Sequence, residues 1–271
     1  MPIDITVIIP SYKPQAYLRE CIRSIAQQTL DKSRFELIIV LNGCNEPYHQ
    51  NIQSWFLPYP QIQVRLLQTD TPGVSNARNL GLDHARGQNV CFIDDDDEVS
   101  PDYLKSLLMA KTSEDCLTVS NVQDYDEKSG TFHDDYITKA YKRFASHGYA
   151  PLLRGRSFLS SSCCKMIPLS IIGDRRFDTR FSIGEDSLFM ASITNRLKTI
   201  RLANSDAVYI RHERTGSASR SKHSKQVVFK NITKTWKAYI RIYLSDVRHY
   251  NFLFFATRLI AVFVSQIKTI F

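Results

Sequence analysis

The chain begins with a short β-branched run, Ile5-Thr6-Val7-Ile8-Ile9, that stops at Pro10. An unbroken apolar run bounded by a breaker predicts a strand buried on both faces. The period then changes. In "PQAYLRECIRSIAQQTL" the residues Leu18, Ile22, Ile25 and Ala26 share one helical face with charges opposite, which predicts an amphipathic helix. "FELIIVL" (35–41) and "IQVRLLQ" (62–68) return to the strand pattern, the first closing on the turn composition "NGCNE". Gly73 and Ser75 lead into a helical stretch, "VSNARNLGLDHARG", which Gly87 is placed to terminate. "NVCFI" (89–93) reads as a fourth strand. Ser100 and Pro101 read as the N-cap and first position of a helix through "PDYLKSLLMAK", and "CLTVSNV" as a further strand.

Strands alternating with helices imply βαβ units, hence an α/β fold with a mostly parallel central sheet flanked by helices. Ligands of such sheets bind beyond the carboxyl ends of the strands. "PSYK", "NGCNE" and the acidic run Asp94-Asp95-Asp96-Asp97 all fall at those ends. Composition shifts divide the chain near 110 and 216, giving a first half (1–110), a less regular second half (111–215) and a basic helical tail (216–271).

A chain of 271 residues with 43% hydrophobic content is long enough for one large α/β domain or two modest ones. The net charge of +8 comes from basic residues concentrated towards the C-terminus, away from the acidic run. That separation suits a protein that holds a cation locally and meets an anionic surface elsewhere. None of the six cysteines forms a C-x-x-C pair or a zinc-like spacing; Cys21 and Cys91 sit in apolar patterns as small core residues. "MPIDITVIIPSY" has no basic n-region and enters a strand at once, so no secretory signal is expected and a reducing cytoplasm fits.

Two acidic motifs carry candidate chemistry. Asp94 and Asp96 point the same way in extended backbone, because the side-chain period is two. Carboxylates so placed suit Mg²⁺ or Mn²⁺, which favour hard oxygen donors and bridge to diphosphates. The alternative is an acidic turn favoured by the dipole of the following helix. In "SIGEDSLF" (182–189), Glu185 and Asp186 offer a general base; again, an acidic helix N-terminus is the plainer alternative.

Five segments in order, "VIIPSYK", "FELIIVLNG", "GVSNARNLGLDHARG", "FIDDDD" and "FDTRFSIGEDSLF", resemble family 2 glycosyltransferases with the GT-A fold, of the type that builds bacterial surface polysaccharides. The resemblance implies a metal-dependent, inverting transfer from a nucleotide-sugar, by default a UDP-sugar, to a hydroxyl of a saccharide or lipid-linked saccharide. It implies that Pro10, Tyr12, Asn42, Arg78, Asp94 and Asp95 line the donor site, with Asp96 on the metal, Mn²⁺ or Mg²⁺. It further implies Asp186 as base with Glu185 beside it, His212 completing the metal shell, and Arg214 or Arg220 covering the diphosphate. One departure stands out: Leu41 and Asn42 occupy a turn that is usually acidic in the family. Cys163 and Cys164 read as packing residues, since an inverting transfer needs no enzyme nucleophile.

The tail "HYNFLFFATRLIAVFVSQIKTIF" is apolar but interrupted by Arg258 and Lys268, short of the ~20 residues a spanning helix needs. Before it, "KHSKQVVFKNITKTWKAYIRIYL" interleaves Lys and Arg with Trp236, Tyr239 and Tyr243. That mixture predicts association with the inner face of the cytoplasmic membrane; the alternatives are a helical hairpin folded back on the domain and a homodimer interface. Nucleic acid is not expected as a partner. The rival whole-chain readings are a catalytically degenerate GT-A protein and a basic protein that binds membrane or nucleic acid.

Overall fold

A computed structural model describes residues 2–43, 45–213 and 225–267. Its main sheet has eight strands in the order β3-β2-β1-β4-β10-β6-β11-β9. The parallel half is β3 (Gln63–Thr69), β2 (Phe35–Asn42), β1 (Ile5–Ser11) and β4 (Asn89–Phe92). The other half is β10 (Lys165–Pro168), β6 (Cys116–Val119), β11 (Thr199–Leu202) and β9 (Tyr149–Ala150). β10 runs antiparallel to both its neighbours and β9 antiparallel to β11, while β6 and β11 are parallel, so the sheet is mixed with four of its seven pairings parallel. A second sheet has the order β5-β12-β7-β8, from β5 (Glu98–Val99), β12 (Val208–Glu213), β7 (Asn121–Asp126) and β8 (Thr131–His133).

β1 and β2 are buried at every position, as continuous apolar strands covered on both faces should be. The polar exceptions are matched. Thr6 and Glu36 are buried side by side, where Glu36 accepts from the Thr6 hydroxyl at 2.8 Å, Arg65 at 2.9 Å and the Arg86 N–H at 2.8 Å. Helix α1 (Ala16–Ala26) buries Leu18, Ile22, Ile25 and Ala26, the face its periodicity selects. Beyond the short α2 (Tyr48–Phe56), α3 (Val74–His84) packs on β1, β2 and β3. α4 (Tyr103–Ala110) packs on β10, β6 and β11. α5 (Tyr136–Phe144), α6 (Leu169–Ile172) and α7 (Glu185–Ser192) follow.

Three local expectations are corrected. α3 ends at His84, three residues before Gly87, which is needed for a different reason. A Cβ there would lie 2.5 Å from the backbone nitrogen of Thr6, and the Gly87 N–H donates to the Thr6 hydroxyl at 2.9 Å. α4 starts at Tyr103 rather than Pro101, because the Ser100 hydroxyl is engaged elsewhere: it donates to Asp206 O at 2.5 Å and accepts from Val208 N–H at 2.9 Å. "CLTVSNV" is split between the two sheets at Ser120, whose N–H and hydroxyl both donate to Cys164 O at 3.1 Å.

The last two helices, α8 (Lys225–Ser245) and α9 (Phe252–Ile267), form a hairpin against α7. Tyr239, Phe254 and Phe255 are buried beneath it, each contributing roughly 1.5–3 kcal/mol of apolar burial. Directional bonds fix it: Tyr239 donates to Ser187 Oγ at 2.9 Å, Tyr250 to Ser192 O at 2.7 Å, and Asn195 to Asp246 at 2.9 Å. Its outer surface still exposes Phe229, Phe252, Leu253 and Ile260. No helix among the described residues is long and apolar enough to cross a membrane.

Because backbone rather than a side-chain tip meets a Cβ at Gly87, Gly87→Ala is expected to lower stability by about 1–3 kcal/mol. The urea midpoint should fall with an unchanged slope; an unchanged midpoint would mean that the 85–88 segment yields without cost.

Candidate active site

The carboxyl ends of β1, β2 and β4 and the start of α3 enclose a cavity of about 440 Å³, within the ~300–1,000 Å³ usual for small-molecule sites. Pro10, Tyr12, Asn42, Arg78, Asp94, Asp95 and Asp96 all line it, and Pro72, Gly73 and Val74 complete the wall. None of the last three was expected in the site, although Gly73 was read as the entry to α3, where its positive φ of +131° lets the chain turn.

Asn42 is buried and uses both ends of its amide. Its Nδ2 donates to Ser11 O at 2.8 Å, and its Oδ1 accepts from Gly73 N–H at 3.0 Å. A carboxylate could not donate to Ser11, so an amide is needed at this position for both bonds. Gly43, at φ +92°, lies against Tyr12; a Cβ would meet that ring at 2.8 Å. Tyr12 is half exposed at the mouth.

The four consecutive aspartates face different partners. Asp94 pairs with Arg78 at 2.8 Å, and Asp95 accepts from the Ser11 hydroxyl at 2.5 Å. Asp96 faces the cavity. Asp97 turns inward, accepting from the Tyr209 phenol at 2.8 Å and the His212 N–H at 3.0 Å. The same phenol accepts from the Asp94 N–H at 3.1 Å, so Tyr209 ties the acidic turn to β12. Burial, with Asp94 and Asp96 adding to it, holds the Asp97 carboxyl well above the ordinary range.

Arg78 projects from α3 and is almost wholly buried, its side chain 4% exposed. Besides Asp94 it contacts Asp186 and, at 3.4 Å, Glu185, both in the first turn of α7. Its guanidinium also lies 5.4 Å from the Phe177 ring centre, an arrangement favourable to a cation. Burial opposes its charge, but Asp186 and Asp94 outweigh burial and hold it firmly protonated. Glu185 is raised above the usual carboxylate range by burial first and Asp186 second, with Arg78 pulling the other way. Asp186 is steadied on its far side by the Ser162 N–H at 3.1 Å and the Ser161 hydroxyl at 3.3 Å. Buried Lys165 anchors that serine segment by donating to Ser161 O and Cys163 O at 2.6 and 2.5 Å. Cys163 and Cys164 are buried, and burial pushes the Cys164 thiol up to about 12. Both are therefore thiols rather than thiolates near neutral pH, in keeping with a packing role.

His212 lies on the second sheet, with Nε2 3.1 Å from Glu98 and Nδ1 3.4 Å from Glu127. A separate group, Asp124, His133 and Glu213, brings its ligand atoms within 4.8 Å of one another. Asp124 is already held by both arms of Arg211, at 2.7 and 2.8 Å. Arg214 and Arg220 lie outside the described residues.

Replacing Arg78 leaves Asp94, Glu185 and Asp186 facing one another without a cation. Arg78→Met should therefore cost about 3–5 kcal/mol. Without the guanidinium, Glu185 rises further, so the folded variant retains a proton that the unfolded chain releases above about pH 4. Stability then falls as pH rises, and the deficit relative to the parent should widen between pH 5 and 8 in urea titrations. A deficit independent of pH would show that these carboxylates do not sense Arg78.

Comparisons with known proteins agree with this architecture. The family model described as "Glycosyl transferase family 2" matches residues 6–172. GlyA, a glycosyltransferase of Streptococcus pneumoniae serotype 4, is 27% identical over 80% of this chain, which spans 31% of GlyA's length. Among solved structures, residues 1–349 of Staphylococcus aureus TarS in complex with UDP-GlcNAc superpose with a TM-score of 0.71 at 19% identity, covering 91% of this chain and 67% of that one. The mannosyltransferase PcManGT of Pyrobaculum calidifontis, in complex with GDP-Man and Mn²⁺, gives 0.65 at 14% identity over 100% of this chain and 74% of that one. With a mixed sheet flanked by helices, a cavity at its carboxyl edge and a family match over more than half its length, the chain belongs to glycosyl transferase family 2 and has the GT-A fold.

Proposed function

We propose that this protein transfers a sugar from a nucleotide-sugar, by default a UDP-sugar, to a hydroxyl of a saccharide or lipid-linked saccharide in surface-polymer synthesis. The observation that carries the reading is Arg78, whose one guanidinium contacts Asp94 from the β4–β5 turn and Asp186 from α7. Donor-side and acceptor-side carboxylates are thereby held around a single cavity edge.

In this reading the nucleotide lies against Pro10, Tyr12 and Asn42. Asp186 takes the proton of the acceptor hydroxyl as its oxygen bonds to the anomeric carbon. The anomeric C–O bond to the diphosphate breaks on the opposite side with its electron pair, which gives inversion in one displacement. Asp96 presents the hard oxygen donor that a divalent ion requires, beside Asp94 and Asp95 on the donor, and Mn²⁺ or Mg²⁺ there would supply positive charge to the departing diphosphate. Arg78 keeps the Asp186 carboxylate oriented, and Glu185, adjacent to it, orients the acceptor. The TarS and PcManGT complexes, with UDP-GlcNAc and with GDP-Man and Mn²⁺, support a nucleotide-sugar in this class of cavity. His212, Arg214 and Arg220 keep the auxiliary roles that the family resemblance implies.

The hairpin supports a second element of the proposal. Neither α8 nor α9 contains an Asp or Glu, and the outer surface combines exposed aromatic residues with lysines. A surface of this kind suits the headgroup layer of an anionic membrane, where a lipid-linked acceptor would be presented.

Asp186→Asn should reduce transfer by roughly 10²–10⁴-fold while leaving donor-induced thermal stabilisation in place. Equal transfer by parent and variant would remove Asp186 as the base. Stabilisation by UDP rather than GDP, dTDP or CMP, lost in Asp96→Ala and without Mn²⁺, is the expected companion result. A shift that ignores both metal and Asp96 would exclude the ion.

A further inference from the structure

A second cavity, of about 200 Å³, lies between the 173–181 segment, α7 and α8. Arg175, Arg176, Arg180 and Arg241 line it against one carboxylate, Asp178, over a floor that includes Phe189. We propose that this cleft is a binding site for a phosphate group.

The charge is not neutralised within the cleft. Asp178 is taken by Arg180, with bonds of 2.8 and 2.6 Å, and Arg176 reaches away to Asp83 at 2.7 Å. Arg175 is held in place by donation to Ser192 O at 2.7 Å and Asn195 Oδ1 at 2.9 Å, while the Asp174 carboxylate stands 3.8 Å off and is shared with Arg196. Among the described residues Arg241 has no ion-pair partner. It ends a stripe of exposed cations on α8, Lys230, Lys234, Lys237 and Arg241, whose spacing of four, three and four puts them on one helical face. Lys234 lies 2.5 Å from Arg180 O, so the stripe runs alongside the cleft.

Size and chemistry agree on the occupant. A volume of about 200 Å³ accommodates a few waters at ~30 Å³ each but falls below the usual ~300–1,000 Å³ of larger ligands. Guanidinium forks match phosphate oxygens in geometry and charge, and an apolar floor strengthens the attraction by lowering the local dielectric. The group could belong to a lipid headgroup at the hairpin surface or to free phosphate. The site stands independently of the sugar-transfer reading, since it shares none of the donor-cavity residues.

The test uses the full chain, inorganic phosphate against chloride at matched ionic strength, and vesicles of phosphatidylcholine with or without phosphatidylglycerol. Arg241→Gln is the probe, and Lys139→Gln, an exposed cation on α5, is the charge-matched control. Phosphate should raise the melting temperature of the parent, and Arg241→Gln should weaken binding roughly tenfold without lowering the melting temperature in chloride. Lys139→Gln should behave as the parent. An Arg241-dependent response to phosphatidylglycerol vesicles would assign the headgroup as the source; a response to inorganic phosphate alone would assign free phosphate. Equal losses in the two variants, or no response to either probe, would overturn the proposal.

Discussion

The structure depends on one buried cation among acids. Carboxylates from the β4–β5 turn and from α7 converge at the cavity edge, and in a desolvated setting they would repel one another strongly. Arg78 resolves this with a single planar group that faces Asp94, Asp186 and Glu185. Its reach is set by packing. Gly81, one turn further along α3, lies so close to β1 that a Cβ would come within 2.5 Å of the Ile8 side chain. The close approach of helix and strand therefore fixes where the guanidinium can stand. In this way an apolar contact determines an electrostatic one.

The same logic resolves the run of four aspartates. Asp94, Asp95 and Asp96 all line the cavity, and the charge is spread over different partners: a guanidinium for Asp94, a serine hydroxyl for Asp95 and the Tyr209 phenol for Asp97. Only Asp97 is fully withdrawn from water, and it has a structural duty, since its two bonds join the acidic turn to the second sheet. The cluster is thus a hinge of roles along four residues rather than one undivided patch of negative charge. The α8–α9 hairpin, packed on α7, adds charge of opposite sign and carries no Asp or Glu in either helix.

Much of this was legible in the chain because it rests on local pattern. The buried runs of β1 and β2 and the apolar face of α1 are readable from residue type and spacing, whereas Arg78, Asp94 and Asp186 stood out through the ordered motifs of the family resemblance. The six residues expected at the donor site, and Asp96 expected on the metal, line one cavity. What escaped notice depends on contacts distant in sequence. β5 has two residues and β8 three, too few for periodicity to declare a second sheet. Ser161 and Ser162, which steady Asp186, carry no signal of their own. Ser100 resembled a helix cap because the sequence does not reveal Asp206 and Val208, which claim its hydroxyl.

Two bonds at the site also bear on how the chain comes together. Arg78 and Asp186 are separated by 108 residues, and Asp97 and Tyr209 by 112. Closing such long loops is slow relative to forming helices or neighbouring strands. A chain emerging during synthesis therefore presents all four aspartates well before α7 and then β12 arrive to partner Arg78 and Asp97. The parallel strands β1 to β4 all lie within the first 92 residues and can pair earlier, so the contacts that Asp186 and Tyr209 make at the edge of that sheet are later additions to it.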